Sequence, residues 1–391
     1  MIQSSLHPGR TRHGLTAAVL LLPALQAGNA AAEQPLPVGS FEPIPVLSIY
    51  PPLKPQGTAD EALVSGRVVS GNFAMTGRAS KPWRIAYLFP HIKDPYWIGC
   101  SYGVIGQARR LGISADIFPA DGYNDLVGQL RKMDEVIAAK YDAIVISPIS
   151  LTANNASIAK ARAAGIPVFE LANDSTSDDL TVKVTTSLKS MGLDATRWVI
   201  RDAQQRGLKS VNIALLPGPA GTGWVKGEVD GTREAAQTAP LPVKIVDIRY
   251  GDSDRIEQSQ LAARMLAEHG SKIDYIIGCT GCAPAARLPL QEAGLSETVR
   301  IVAYDLTREI AGLIRKRELY AAADTKGVSQ ARVVTNVAVS HLEGRSKTLP
   351  HTILIQLGLA DRANYRSYKL DTSIPPEGYA PILSYRPDKR R

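Results

Sequence analysis

Lys81-Pro82-Trp83-Arg84-Ile85-Ala86-Tyr87-Leu88-Phe89-Pro90-His91-Ile92-Lys93-Asp94-Pro95-Tyr96-Trp97 opens the alternation of strands and helices in this chain. Residues 84–89 read as a short apolar strand. The next run, Ile98 to Leu111, has helical spacing through Ile98, Tyr102, Ile105 and Ala108 and stops at Gly112. The same grammar then repeats. Ala115 to Phe118 is a second strand, and a helix follows with an apolar stripe at Leu126, Leu130, Met133 and Ile137. Ala143 to Ile146 is a third strand. A further helix ends at Ala164-Gly165, and Ile166 to Leu171 is a fourth strand.

Past a helix around Gly192 to Arg206, strands recur at Val211 to Leu216, Val243 to Ile248, Tyr275 to Gly278 and Ile301 to Ala303. A helix at Thr307 to Arg317, a strand at Leu319 to Ala323, a helix at Ser329 to Leu342 and an extended stretch at His351 to Leu357 complete the series. Strand–helix alternation of this length predicts parallel sheets covered by helices on both faces. Two batches of four strands predict two such sheets, hence an α/β protein of two lobes with a cleft between them.

The flanks differ in character. Residues 1–14 hold Arg10 and Arg12 and no acid; an apolar run, Leu15 to Ala27, and small residues at Gly28 to Ala32 follow. Basic, apolar and small-residue segments in this order predict a cleaved secretory signal peptide over 1–32 and a soluble mature chain in the periplasm. The apolar run falls short of the roughly 20 residues that span a bilayer. Residues 33–81, with Pro35, Pro37, Pro43, Pro45, Pro51 and Pro52, read as an extended arm with a short hairpin near Leu63 to Phe73.

Composition narrows the function. The formal charge of +8 falls to +6 without Arg10 and Arg12, and part of the surplus sits in the tail at Arg386, Lys389, Arg390 and Arg391. No basic stripe with interleaved aromatics occurs, so a nucleic-acid partner is not expected. No H-E-x-x-H, G-x-S-x-G or paired-cysteine zinc spacing occurs either, and no metal or cofactor is expected. Cys279 and Cys282 form a C-x-x-C that fits a short disulfide or a redox pair; Cys100 reads as a buried thiol. The Gly218 to Gly223 stretch fits neither a P-loop nor a clean dinucleotide fingerprint and reads as a cleft loop.

In open parallel sheets ligands bind beyond the C-terminal strand ends. The segments there are Asp94 to Trp97, Asp121-Gly122-Tyr123, Ser147-Pro148 and Asn173-Asp174 in the first lobe. In the second they are Gly218 to Trp224, Tyr250, Cys279-Thr280 and Tyr304-Asp305. Aromatic residues are only 6% of the chain, yet Tyr96, Trp97, Tyr123, Trp224, Tyr250 and Tyr304 all fall in these loops. Aromatic faces stack on sugars or enclose an alkylammonium head.

The ends Gly165-Ile166-Pro167-Val168 and Ile301-Val302-Ala303-Tyr304-Asp305, with residues 81–86, resemble the type I periplasmic binding proteins. The string from Phe89 to Trp97, with Asp121-Gly122-Tyr123, Leu216 to Pro219 and Tyr250 to Asp254, resembles the TorT family of periplasmic trimethylamine N-oxide (TMAO) sensors. The resemblance covers roughly residues 80–345. It implies a non-enzymatic receptor that binds TMAO or a similar small methylated amine between its lobes and partners the periplasmic domain of a membrane sensor histidine kinase. It implies ligand-binding roles for Asp94, Tyr96 and Trp97, which lie inside the matching motif; Tyr123, Trp224 and Tyr304 join them by loop position. With this fold the lobes are expected at 82–186 with 305–345, and at 187–304 with 346–391. Two other readings compete: the solute-binding component of an ABC importer for a sugar or polyol, and a thiol-redox protein acting through Cys279 and Cys282.

Overall fold

The strand at Arg84–Phe89 buries both its faces. Ile85, Tyr87 and Phe89 enter one hydrophobic cluster, Ala86 and Leu88 another. A strand covered on both sides needs helices above and below it, and the chain supplies them by alternation. The computed structural model describes residues 43–387. The predicted leader 1–32, the start of the arm, and Lys389, Arg390 and Arg391 lie outside the described residues.

In chain order the first lobe holds β1 (Ile44–Tyr50), α1 (Ala59–Ser65), β2 (Arg67–Phe73), β3 (Arg84–Phe89), α2 (Pro95–Leu111) and β4 (Ser114–Pro119). It continues with α3 (Leu126–Ala138), β5 (Ala143–Ile146), α4 (Asn155–Ala163), β6 (Val168–Leu171) and β7 (Val182–Thr185). The second lobe runs through α5 (Leu188–Gln205), β8 (Val211–Gly218), α6 (Gly223–Gln237), β9 (Val243–Tyr250), α7 (Arg255–His269) and β10 (Tyr275–Gly278). It goes on with α8 (Cys282–Ala285), α9 (Arg287–Glu292), β11 (Arg300–Ala303), α10 (Arg308–Arg315) and β12 (Ala321–Asp324). After α11 (Gly327–Leu342) come β13 (Thr352–Ile355), β14 (Gly358–Asp361) and β15 (Ser384–Tyr385).

Among the described residues the first sheet has the order β15-β4-β3-β5-β6-β7-β13-β1-β2 and the second β14-β12-β11-β10-β8-β9. Strands β4 to β13 of the first run parallel, as do β12 to β9 of the second; β1, β2, β14 and β15 are antiparallel additions at the edges. The expected α/β architecture of two helix-flanked parallel sheets is what the chain forms.

The chain passes between the sheets after β7, β12, β13 and β14, and this shifts the expected lobe boundaries. β12 pairs with β11, Val302 opposite Ala321, so the second lobe extends through Asp324 instead of ending at 304. The closing segment is shared: β13 and β15 join the first sheet and β14 the second. A strand's own residues carry its period but not the identity of its neighbour, which is settled only by packing. The arm differs as well. Leu63 lies in α1, capped by a reciprocal Thr58–Glu61 box, and β2 pairs with β1 rather than forming a local hairpin.

The crossings are held by side chains. On its way from β14 to β15, the chain places the Tyr368 and Ser373 hydroxyls as donors to Asp324, just before the second crossing. Arg308 of the second lobe donates to the Pro375 carbonyl, and the Tyr379 and Ser101 hydroxyls lie 3.3 Å apart. No helix among the described residues is long and apolar enough to cross a membrane.

Candidate ligand-binding site

The first wall of the cleft is set by how α2 begins. Asp94 is extended in backbone and caps the helix, its carboxylate accepting from the Trp97 N–H at 3.0 Å, with Pro95 in the first turn. The helix therefore starts three residues earlier than its apolar spacing suggests, and Tyr96 and Trp97 occupy its rigid first turn. Their rings meet edge to face at 5.1 Å, and Trp97 rests on Phe89 at 5.0 Å. Trp97 is 1% exposed, so it serves the core with one edge and the cleft with the other.

The opposite wall comes from α6, whose start at Gly223 follows the Gly218 to Thr222 turn. Gly218 adopts φ +108°, and a Cβ there would lie 2.4 Å from Trp224 Cη2. A glycine is required at that turn both by its backbone and by the tryptophan ring seated against it. Trp224 in turn reaches across the cleft to Tyr123, ring centroids 5.6 Å apart. Asn124 donates to Asp252 at 3.3 Å, and the Leu151 N–H to the Gly221 carbonyl at 3.3 Å. The two lobes thus touch around a cavity of about 50 Å³.

Tyr96, Trp97, Tyr123 and Trp224 all line this cavity, together with Asp94, Asn173, Thr280 and Asp305. Tyr304 does not. Its side chain is buried with Val302 on the opposite side of β11 from Ile301 and Ala303, and its hydroxyl lies 2.9 Å from that of Thr232. Strand alternation turns Tyr304 into the second-lobe core and leaves the next residue, Asp305, for the cleft. Tyr250 is 42% exposed and lies outside the cavity lining.

Glu228 and Gln330 also line the cavity, and neither lies in a loop after a strand. The sequence does carry a signal for Glu228. It stands four residues after Trp224, so both fall on one face of α6.

The electrostatics are unusual for a neutral pocket. Glu228 and Asp305 are buried carboxyls and Asp94 a partly buried one, and burial raises the pKa of each above the ordinary range. Asp305 is pushed up to about 7, by burial first and by Asp324 next, against the bonds it accepts from Thr325 and Leu306. Tyr96 and Cys100 are raised by burial in the same way, and Cys100 is a buried free thiol. Lysine and arginine are absent from the described lining residues. Four aromatic rings and three carboxyls, with His91 3.7 Å from Asp94 and no lysine or arginine in the lining, make a chamber suited to a small group carrying positive charge on methylated nitrogen.

Cys279 and Cys282 are joined in a disulfide, and the Cys282 N–H lies 3.2 Å from Cys279 Sγ. Cys279 is 2% exposed and Cys282 fully buried. The bond closes the turn that presents Cys279 and Thr280 to the cavity.

Comparison with known proteins agrees with this fold. The periplasmic binding protein domain model matches residues 85–346. Periplasmic protein TorT of Escherichia coli (strain K12) is 30% identical over 79% of this chain and 86% of its own length. An ABC transporter solute binding protein from Bradyrhizobium sp. BTAi1, solved with bound bis-tris, is 29% identical with a TM-score of 0.72, over 88% of this chain and 98% of that one. The complex of TorT with the TorS sensor domain, solved in the presence of TMAO, matches with a TM-score of 0.66 and 23% identity, over 77% of this chain and 99% of that one. The chain belongs to the periplasmic binding proteins, as a ligand-binding protein of the TorT type.

Proposed function

We propose that this protein is a non-catalytic periplasmic receptor that closes its lobes around TMAO and reports the closed state to the sensor domain of a membrane histidine kinase. One observation carries the ligand: a cavity of about 50 Å³ walled by Tyr96, Trp97, Tyr123 and Trp224. A chamber this small, walled by four rings, favours a compact ligand over a hexose. The methylated nitrogen suits aromatic faces, and the oxygen accepts from indole or hydroxyl donors. The partner is supported by the TorT relative and by the solved complex of TorT with TorS. Ligand would shift an open–closed equilibrium that the kinase domain reads.

Calorimetry of the mature protein with TMAO and with D-allose tests the ligand. A saturable heat with TMAO alone is expected; its absence, or preference for the sugar, overturns the assignment. Co-elution with a periplasmic kinase sensor domain, altered by TMAO, tests the partner. A second reading, the solute-binding component of an importer, draws support from the Bradyrhizobium relative. It predicts association with a permease instead.

The turn behind Trp224 offers an independent check. Gly218→Ala puts a Cβ into the indole ring and a side chain at φ +108°. TMAO affinity is expected to fall at least about tenfold, a loss of ~1.4 kcal/mol. Unaltered binding would mean that the seating of Trp224 does not matter.

A further inference from the structure

Beside Gln330 Oε1, two polar atoms lining the cavity are left without partners among the described residues: Trp224 Nε1 and Glu228 Oε2. Both side chains come from one face of α6, four residues apart, and both line the cavity. Glu228 is 1% exposed. Its place is fixed by close packing of α5 on α6, where a Cβ at Gly192 would lie 2.0 Å from the Glu228 carbonyl oxygen. A buried carboxyl oxygen with no partner is costly to keep, so an otherwise orphaned acid aimed into a ligand chamber points to a contact made on binding.

We propose that Glu228, as a carboxylic acid, donates a hydrogen bond to the oxygen of an amine N-oxide, alongside the Trp224 N–H, and so determines the selection of N-oxides over methylated ammonium cations. The inference rests on the reading of TMAO as ligand and adds which residue tells its oxygen from a fourth methyl group. The N-oxide oxygen carries formal negative charge; a neutral carboxyl gives it a charge-assisted bond, whereas a carboxylate would repel it. Burial, and next the negative charge of Asp305, drive the Glu228 proton affinity well above the ordinary carboxylate range. The other titratable groups around it are Tyr304 on its own lobe and, across the cavity, Asp94, Tyr96 and Tyr123, with His91 behind Asp94 at 3.7 Å; no lysine or arginine lines the cavity among the described residues. The aromatics of the first lobe are then free to hold the methyl groups, and the second lobe reads the oxygen.

Tetramethylammonium, in which a methyl replaces the oxygen, isolates the effect. Full-length mature protein is titrated with TMAO and with tetramethylammonium, as wild type, Glu228→Gln and Glu228→Leu, with thermal unfolding to confirm that each is folded. Wild type is expected to prefer TMAO. Glu228→Gln keeps a donor of the same size and should hold TMAO within about fivefold of wild type, with no fall in affinity as pH rises. Wild-type affinity should fall with rising pH as the acid form is lost. Glu228→Leu should lose about 10- to 100-fold for TMAO and little for tetramethylammonium. If Glu228→Gln weakens both ligands alike, the residue is an ionised counter-charge and the proposal is overturned; wild-type TMAO affinity in Glu228→Leu also overturns it. In both cases TMAO binding by wild type leaves the ligand reading intact, whereas wild type that binds neither compound overturns both.

Discussion

Trp224→Ala is expected to weaken TMAO binding on the order of 10²- to 10³-fold, the largest loss from any single change in the cavity wall. Two contributions add. The aromatic face toward a methylated nitrogen is worth about 0.5–2 kcal/mol, and a hydrogen bond to a charged oxygen about 1.5–3 kcal/mol. At ~1.4 kcal/mol per tenfold their sum covers that range. The contact with Tyr123 at 5.6 Å also ties the two lobes, so its loss disfavours the closed state that ligand selects. Trp224→Phe separates these effects, because it keeps the face and removes the donor; an intermediate loss of about tenfold is expected. Trp224 is half-buried against both second-lobe clusters, so thermal unfolding must accompany calorimetry. An alanine variant that binds TMAO within threefold of wild type would remove Trp224 from the site.

Trp224 and Tyr304 mark how far the amino-acid sequence discloses the site. Both follow strands, and loop position alone places both in the cleft. Trp224 reaches it because the Gly218 turn lets the helix start late and the ring swing inward, whereas Tyr304 still obeys the alternation of β11 and points to the core. One residue of phase decides between them, and the end of a strand is defined from its residues only to about that margin. Glu228 escapes the same reasoning for a different cause: ligand groups are expected at strand ends, and it lies in the second turn of a helix. The alternating pattern from Arg84 onward is legible because period and length are local properties. The home of β12, the pairing of β1 with β13 and the return of β15 to β4 are long-range choices, made by buried surface that no single segment displays.

Lys183→Ala is expected to lower the unfolding free energy by roughly 3–5 kcal/mol, the largest single-site stability loss in the first lobe. The Lys183 side chain is 1% exposed, on β7. Its ammonium donates to Asp174 at 2.9 Å, to the Gly57 carbonyl at 3.1 Å and to the Ser175 carbonyl, and lies 3.8 Å from Glu170. Burial opposes its charge, but Glu170 and Asp174 outweigh that and raise its pKa. Glu170 is itself driven well above the usual range, by burial first and against the attraction of Lys183. Lys183 is thus one cation facing two buried acids, Asp174 at 2.9 Å and Glu170 at 3.8 Å. Removing the lysine leaves Asp174 buried without its counter-charge, and that uncompensated charge, more than the lost contacts, sets the size of the effect. The arm is drawn in too, since Asp174 accepts from the Ala59 N–H at 2.7 Å and Lys183 holds Gly57. Chemical denaturation should therefore show a lower midpoint, with proteolysis of the arm preceding that of the sheet. Lys183→Met combined with Asp174→Asn, which removes both charges, should recover much of the loss. A double variant no more stable than Lys183→Ala would mean that packing, not electrostatics, is what Lys183 supplies.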